Sequence, residues 1–137
     1  MNTIAILKTD VLTLQNVVNH AKHACMRRPA RLTEGDLVLI SQTFGMLRPG
    51  QKPIRYMMEF VSSYADHAGE SERIFGRHWN YIVEGRNMRE LRYPFDMDEI
   101  KKSSFNYRDA QWLAYVRPQD LEVLRQENHL EEKQESL

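Results

Sequence analysis

The chain of 137 residues predicts an α+β domain, a small and strongly curved mixed β-barrel of about six strands with flanking helices. Three observations carry this. Strand-like apolar runs follow one another, mostly through short connections. Sustained helical spacing occurs in only two places, after the first run and near the carboxy end. The hydrophobic content of 42% in a chain of this length suits a single core that needs no metal or disulfide staple.

Ile4 to Lys8 reads as the first strand, with Asp10 or Thr13 able to cap a helix after it. Leu14, Val17, Val18, Ala21 and Cys25 then recur at helical spacing, which predicts a helix ending before Pro29. Lys22, His23, Arg27 and Arg28 would cluster at its end, opposing the helix dipole, with a phosphate-facing role as the alternative. Glu34-Gly35-Asp36 is a turn signal ahead of Leu37 to Thr43, a strand whose apolar half suits burial on both faces. Ile54 to Tyr64 predicts a long curved strand with Ile54, Tyr56, Met58 and Phe60 on one face. A single helical turn at Glu70 to Phe75, closed by Gly76, leads to a strand from Trp79 to Glu84, and Met88 to Tyr93 returns as its neighbour. Pro94 breaks that pattern, and Asp96 caps a short helix. Trp112 to Val116 is the last strand, and Pro118 opens a helix to about Gln126 with Leu121 and Leu124 inward.

Residues 1–126 are expected to form one domain, and 127–137 a polar, acidic, flexible tail. Nineteen basic residues balance nineteen acidic ones, which argues against a generic cationic nucleic-acid coat. The tail holds four glutamates and one lysine, so the body is mildly basic, and arginine outnumbers lysine roughly two to one. The lone Cys25 allows no internal disulfide, and neither a signal-peptide pattern nor a membrane-length apolar run is present, so a cytoplasmic protein without membrane contact is expected.

Phosphate-binding Gly-x-x-x-x-Gly-Lys-Ser/Thr, dinucleotide Gly-x-Gly-x-x-Gly and hydrolase Gly-x-Ser-x-Gly motifs do not occur. His20 and His23 lie three apart, but no third ligand follows, so no metal and no cofactor is expected. Glu59, Glu70, Glu72, Glu84 and the Asp66–His67 pair can be imagined as acids and bases, yet charges at loops and strand ends are usually solvated, and no catalytic residue is assigned. What stands out is an aromatic set, Phe44, Tyr56, Trp79, Tyr81, Phe105, Tyr107 and Trp112, with Arg48, Arg55, Arg77 and Arg108 beside it. Around Trp79 the composition, Arg77-His78-Trp79-Asn80-Tyr81, suits recognition: on a strand both rings would face one side, and the cations precede them. Most of the seven rings are expected in the core, leaving two or three for a base-like ligand, whose stacking is worth roughly 1–3 kcal/mol per base.

In its order of elements the chain resembles the PUA-like superfamily, and most closely its EVE branch, related to the YTH readers of methylated adenine. The points of likeness are Ile4 to Lys8 followed by a helix, the Gly35-Asp-Leu-Val-Leu-Ile-Ser-Gln42 block, the long strand to Tyr64, and the Trp79-centred strand with Leu91 to Phe95 and a short helix after it. The usual tryptophan beyond the Gly-Asp strand is missing, Phe44 being the nearest ring. The resemblance implies a non-catalytic domain whose barrel mouth accepts a modified, for example methylated, base flipped into an aromatic cage, in nucleic acid that is DNA ahead of RNA. It implies Ser41, Gln42, Trp79, Tyr107 and Trp112 around the base. Arg55, Arg77, His78 and Arg108 are the candidates for the backbone. The settings it suggests are restriction or defence against modified DNA and the reading of modified RNA. An adaptor domain that docks an effector nuclease or other subunit through the carboxy-terminal helix and tail is the alternative, and a small nucleotide-acting enzyme using Glu70, Glu72 or His78 is the third.

Overall fold

A computed structural model describes residues 3–102 and 112–134. Its centre is a parallel pair, β1 (Ile4–Asp10) beside β3 (Leu37–Phe44), with Ile4 opposite Leu37 and Leu7 opposite Ile40. Both strands are buried on both faces, as their apolar runs require: Ile6 and Leu39 join one core cluster, while Leu7, Val38 and Ile40 join the other. The Glu34-Gly35-Asp36 turn is tied to β1 because the Asp36 carboxylate accepts from the Thr3 and Thr33 amides.

Among the described residues six strands form one sheet in the order β2-β5-β4-β3-β1-β6, where β2 is Lys22–Met26, β4 Ile54–Ala65, β5 Tyr81–Phe95 and β6 Leu113–Tyr115. All pairings other than β1–β3 are antiparallel. Register shifts at Thr9/Asp10, Ile40/Ser41 and three places along β4–β5 bend the strands and curl the sheet. Among the described residues four helices flank it: α1 (Leu14–His20), α2 (Glu70–Phe75), α3 (Met97–Ile100) and α4 (Pro118–Gln126). Met97, Leu121 and Leu124 seal one face against Ile54, Met57 and Leu91. Val17, Leu14 and Phe75 lie on the other, against Met58, Phe60 and Val83. The α+β class with a curved, mixed six-stranded sheet is therefore the architecture found.

Four local expectations are corrected. The helix predicted to reach Pro29 stops at His20, where Ala21 turns into the left-handed region (φ 51°), and Lys22–Met26 instead pair with β5, so the cations there do not cap a helix. The two strands predicted at 79–84 and 88–93 are one continuous β5, because Gly85 to Asn87 form an irregularity in a strand rather than a hairpin turn. Pro94 does not end that strand, which reaches Phe95. Ile54 does not share a face with Tyr56, Met58 and Phe60: the shift between Ile54 and Tyr56 reverses parity, and Ile54 sits with Met57 in the first cluster. β5 begins at Tyr81 and not at Trp79, and β6 spans Leu113–Tyr115 within the expected Trp112 to Val116, while Asp96 accepts from the Asp98 amide and Pro118 opens α4 as expected.

Residues 131–133, part of the segment expected to be a flexible tail, lie along β5. The Arg92 amide donates to Glu131 O (2.8 Å) and the Lys133 amide to Glu90 O (2.9 Å), and Leu130 packs on the first core cluster.

Candidate functional site

Where the edge strand β2 approaches the start of β6, both are tied to the same residue of β1. The Lys8 amide donates to the Trp112 carbonyl at 2.8 Å, and the His23 Nε2–H donates to the Lys8 carbonyl at 3.1 Å. The Ala24 amide donates to His23 Nδ1 at 3.0 Å, which fixes the ring as the neutral Nε2–H tautomer with both nitrogens used. Burial, at 5% exposure, pushes its pKa down to about 4, against the smaller opposing pull of the Lys8 carbonyl and Asp10.

Trp79 reaches the same place from α2. Asp66 accepts from the Glu70 and Ser71 amides (3.0 and 2.9 Å) and from the Ser71 hydroxyl, and that hydroxyl oxygen accepts from the Trp79 amide at 3.1 Å. The Ser71 hydroxyl and amide bring the Asp66 carboxyl down to about 2, so this anchor is ionised throughout the neutral range. Gly76, left-handed at φ 76°, ends α2 and turns the chain toward Trp79.

These supports bring the chain's two tryptophans together. Trp79 and Trp112 meet edge to face, with centroids 6.0 Å apart and planes at 74°. His23 lies 6.1 Å from Trp112 and 5.5 Å from Phe75, and the Arg77 guanidinium sits 4.8 Å from the centre of the Trp79 ring. Together with Asp10, Thr13 and Ala24 they line a cavity of about 210 Å³. That is the scale of one heterocycle, below the roughly 300–1,000 Å³ of drug-sized pockets. Perpendicular tryptophans make a corner, not two parallel plates: a ring stacked on one would meet the edge of the other. Asp10 supplies a polar wall. Its Oδ1 accepts from the Thr13 amide and hydroxyl (2.8 and 2.9 Å), while Oδ2 takes no hydrogen bond among the described residues.

Of the residues expected at a site, Trp79, Trp112 and Arg77 line this cavity. Trp79 does so from the loop before β5, so it does not alternate with Tyr81, which pairs with Met26 and Ala65 instead. Ser41 and Gln42 do not line it. Both are buried on β3, where Ser41 accepts from Thr43 and Gln42 accepts from Arg55 Nη2 (2.6 Å) and donates to Met46 O. Arg55 is thus held on Gln42, away from the cavity lining. His78 is exposed, its Nδ1 3.5 Å from Glu72. Phe105, Tyr107 and Arg108, and the Phe44 side chain, lie outside the described residues. Sequence reasoning missed His23, Phe75, Asp10 and Thr13 as neighbours of the tryptophans. It also left undecided Arg27 and Arg28, which with Arg31 line a second space of about 610 Å³ sharing Trp112. The one available signal was the density of arginine just before and after Pro29.

Of the groups weighed as acids and bases, Asp66 and Glu70 are bound up elsewhere. Glu70 accepts from Lys22 and from the Tyr64 hydroxyl (2.8 Å); the Lys22 contact lowers the Glu70 pKa and raises that of Lys22, which makes Glu70 a weak base. His20 and His23 fall on α1 and β2, not on one helix face, and no cluster of three or more metal-binding side chains occurs among the described residues. No helix of the described residues is long and apolar enough to cross a membrane.

No protein-family model matches the chain, and no curated protein matches it by sequence. Among solved structures it is similar to the human THYN1 protein, crystallised in complex with DNA containing 5-methylcytosine. The TM-score is 0.54 at 10% identity, over 98% of this chain and 100% of that one. A likeness at this identity is one of fold.

Proposed function

We propose that this protein is a non-catalytic DNA-binding domain that reads a modified base flipped out of the helix into the cavity between Trp79 and Trp112. One observation carries the reading: both tryptophans, His23 and Phe75 converge on a space the size of one base, with Arg77 at its wall. Extrusion of a base costs a few kcal/mol, and stacking with edge hydrogen bonds offsets it. Asp10 adds a preference, since a carboxylate oxygen accepts from the exocyclic amino group of cytosine or adenine and is repelled by a carbonyl at the same position. A methyl group on the ring would lie against aromatic carbon. THYN1, which shares the fold, was crystallised with methylated DNA, and this is the reason to begin with 5-methylcytosine.

The test is fluorescence anisotropy on matched oligonucleotides with and without one 5-methylcytosine. Folded Trp79→Ala is expected to lose the difference between them, whereas Arg77→Ala weakens both alike and flattens the salt dependence. Asp10→Asn is expected to weaken the preference for an amino-bearing base. If Trp79→Ala keeps its melting transition and its full methyl selectivity, the cavity is not where the base binds.

A further inference from the structure

We infer that the space beside Trp112 is a second binding site, a track for the phosphodiester backbone of the strand whose base enters the cavity. The inference rests on the proposed reading for its ligand, though its chemistry stands on its own residues.

Arg27, Arg28 and Arg31 follow β2, are exposed, and line this space together with Trp112 and Tyr115; among the described residues no carboxylate lines it. The segment is anchored at both sides. The Arg31 amide donates to the Tyr115 hydroxyl at 2.8 Å, and the Ala30 amide donates to Ser63 Oγ at 3.1 Å. The Arg31 guanidinium also lies 5.1 Å from the centre of the Tyr115 ring, a cation–π contact.

The contrast with other arginines is informative. Arg86, Arg89 and Arg92 on β5 each lie within 4 Å of a glutamate. Arg27, Arg28 and Arg31 have no acidic partner among the described residues. Three like charges within five residues repel one another, and an anion placed among them removes that cost. Guanidinium forks suit phosphate oxygens, and the Arg31–Tyr115 pair offers a flat platform for a neighbouring base. Because Trp112 walls both spaces, a nucleotide whose base occupies the cavity would have its adjoining phosphates within reach of the arginines.

The experiment compares the full chain with the triple variant Arg27→Gln/Arg28→Gln/Arg31→Gln by anisotropy, on the methylated and unmethylated oligonucleotides, between about 50 and 200 mM salt. A charge-matched control, Arg86→Gln/Arg92→Gln/Arg125→Gln, removes three arginines elsewhere. The cleft variant is expected to lose on the order of tenfold or more in affinity for both oligonucleotides, with a log–log salt slope shallower by about 2 to 3 and methyl preference retained. Wild-type affinity and slope in a cleft variant that melts normally would overturn the inference, and so would an equal loss in the control. The two readings separate cleanly. If the wild type shows no methyl preference but the cleft variant alone loses salt-dependent binding, the track stands and the base cavity falls. If methyl preference is present and the cleft variant is unchanged, the cavity stands and the track falls.

Discussion

His23 is the residue on which the candidate site depends most for its folding. With Nδ1 accepting and Nε2 donating, a second proton would break the bond from the Ala24 amide and place a charge in a buried space. Its pKa of about 4 lies below the ordinary 6.5, so between those values the unfolded chain binds a proton that the folded chain does not. Stability is therefore intact above pH 6.5 and falls as the pH drops toward 4, by about 3 kcal/mol from this group. Asp66, also depressed, loses its contribution only below that window, between 3.8 and about 2. Urea midpoints from pH 7.5 to 4 should show the decline, and His23→Gln, less stable at neutral pH, should flatten it. A wild-type midpoint constant over that range would mean the ring is neither buried nor neutral. The meeting of Trp79 with Trp112 was legible in the sequence as a cluster of rings with arginines, since aromatic composition carries that signal. The role of His23 was not: a histidine's burial depends on which strand faces it, and helical spacing around Val17 and Ala21 placed it on the wrong element.

At the scale of elements, the helix-to-strand change at Ala21 and the continuous β5 have one cause, namely that β5 pairs with β2 on one side and β4 on the other. Long-range pairing of this kind outweighs local propensity, and no window of sequence contains it. Gly85 and Asn87, between the two strands expected at 79–84 and 88–93, serve the irregularity instead: Asn87 takes φ 56°, and Gly85 allows β5 to press on β4. A Cβ at Gly85 would run into the Met58 side chain and come to 2.9 Å from the Glu59 carbonyl, which as backbone in a paired strand cannot move away. Gly85→Ala is expected to cost about 1–3 kcal/mol. Truncating Met58 as well should recover little, because the carbonyl contact remains. Thermal or urea unfolding of the single variant at wild-type stability would refute the close approach.

At the scale of the molecule, the class, the strand count and the last helix could be read because they depend on local patterns: the doubly apolar Leu37 to Ile40, Pro118 at a helix start, Leu121 and Leu124 at helical spacing. The strand order and the location of the tail could not, since both are set by which edge remains open after folding. Residues 129–133 cover part of the β5 edge. Two backbone hydrogen bonds, Leu130 on the first core cluster and His129 against Phe95 at 4.9 Å hold them there. The ion pairs Arg92–Glu131 and Lys133–Glu90, well exposed, and Arg89–Glu132, 3.8 Å apart with an exposed glutamate, add little and are screened by salt. Truncation after Asn128 should therefore lower stability by about 2–3 kcal/mol, from the hydrogen bonds and the apolar contact, and most of that loss should persist in 1 M salt. Leu130 packs against the first core cluster, whereas Phe75 and Trp112 of the cavity pack against the second. The truncated chain, assayed well below its melting temperature, is thus expected to keep whatever selectivity the full chain has for methylated DNA. Loss of that selectivity in a folded truncation would tie the tail to ligand binding across the sheet, which nothing in the packing of the two faces supplies.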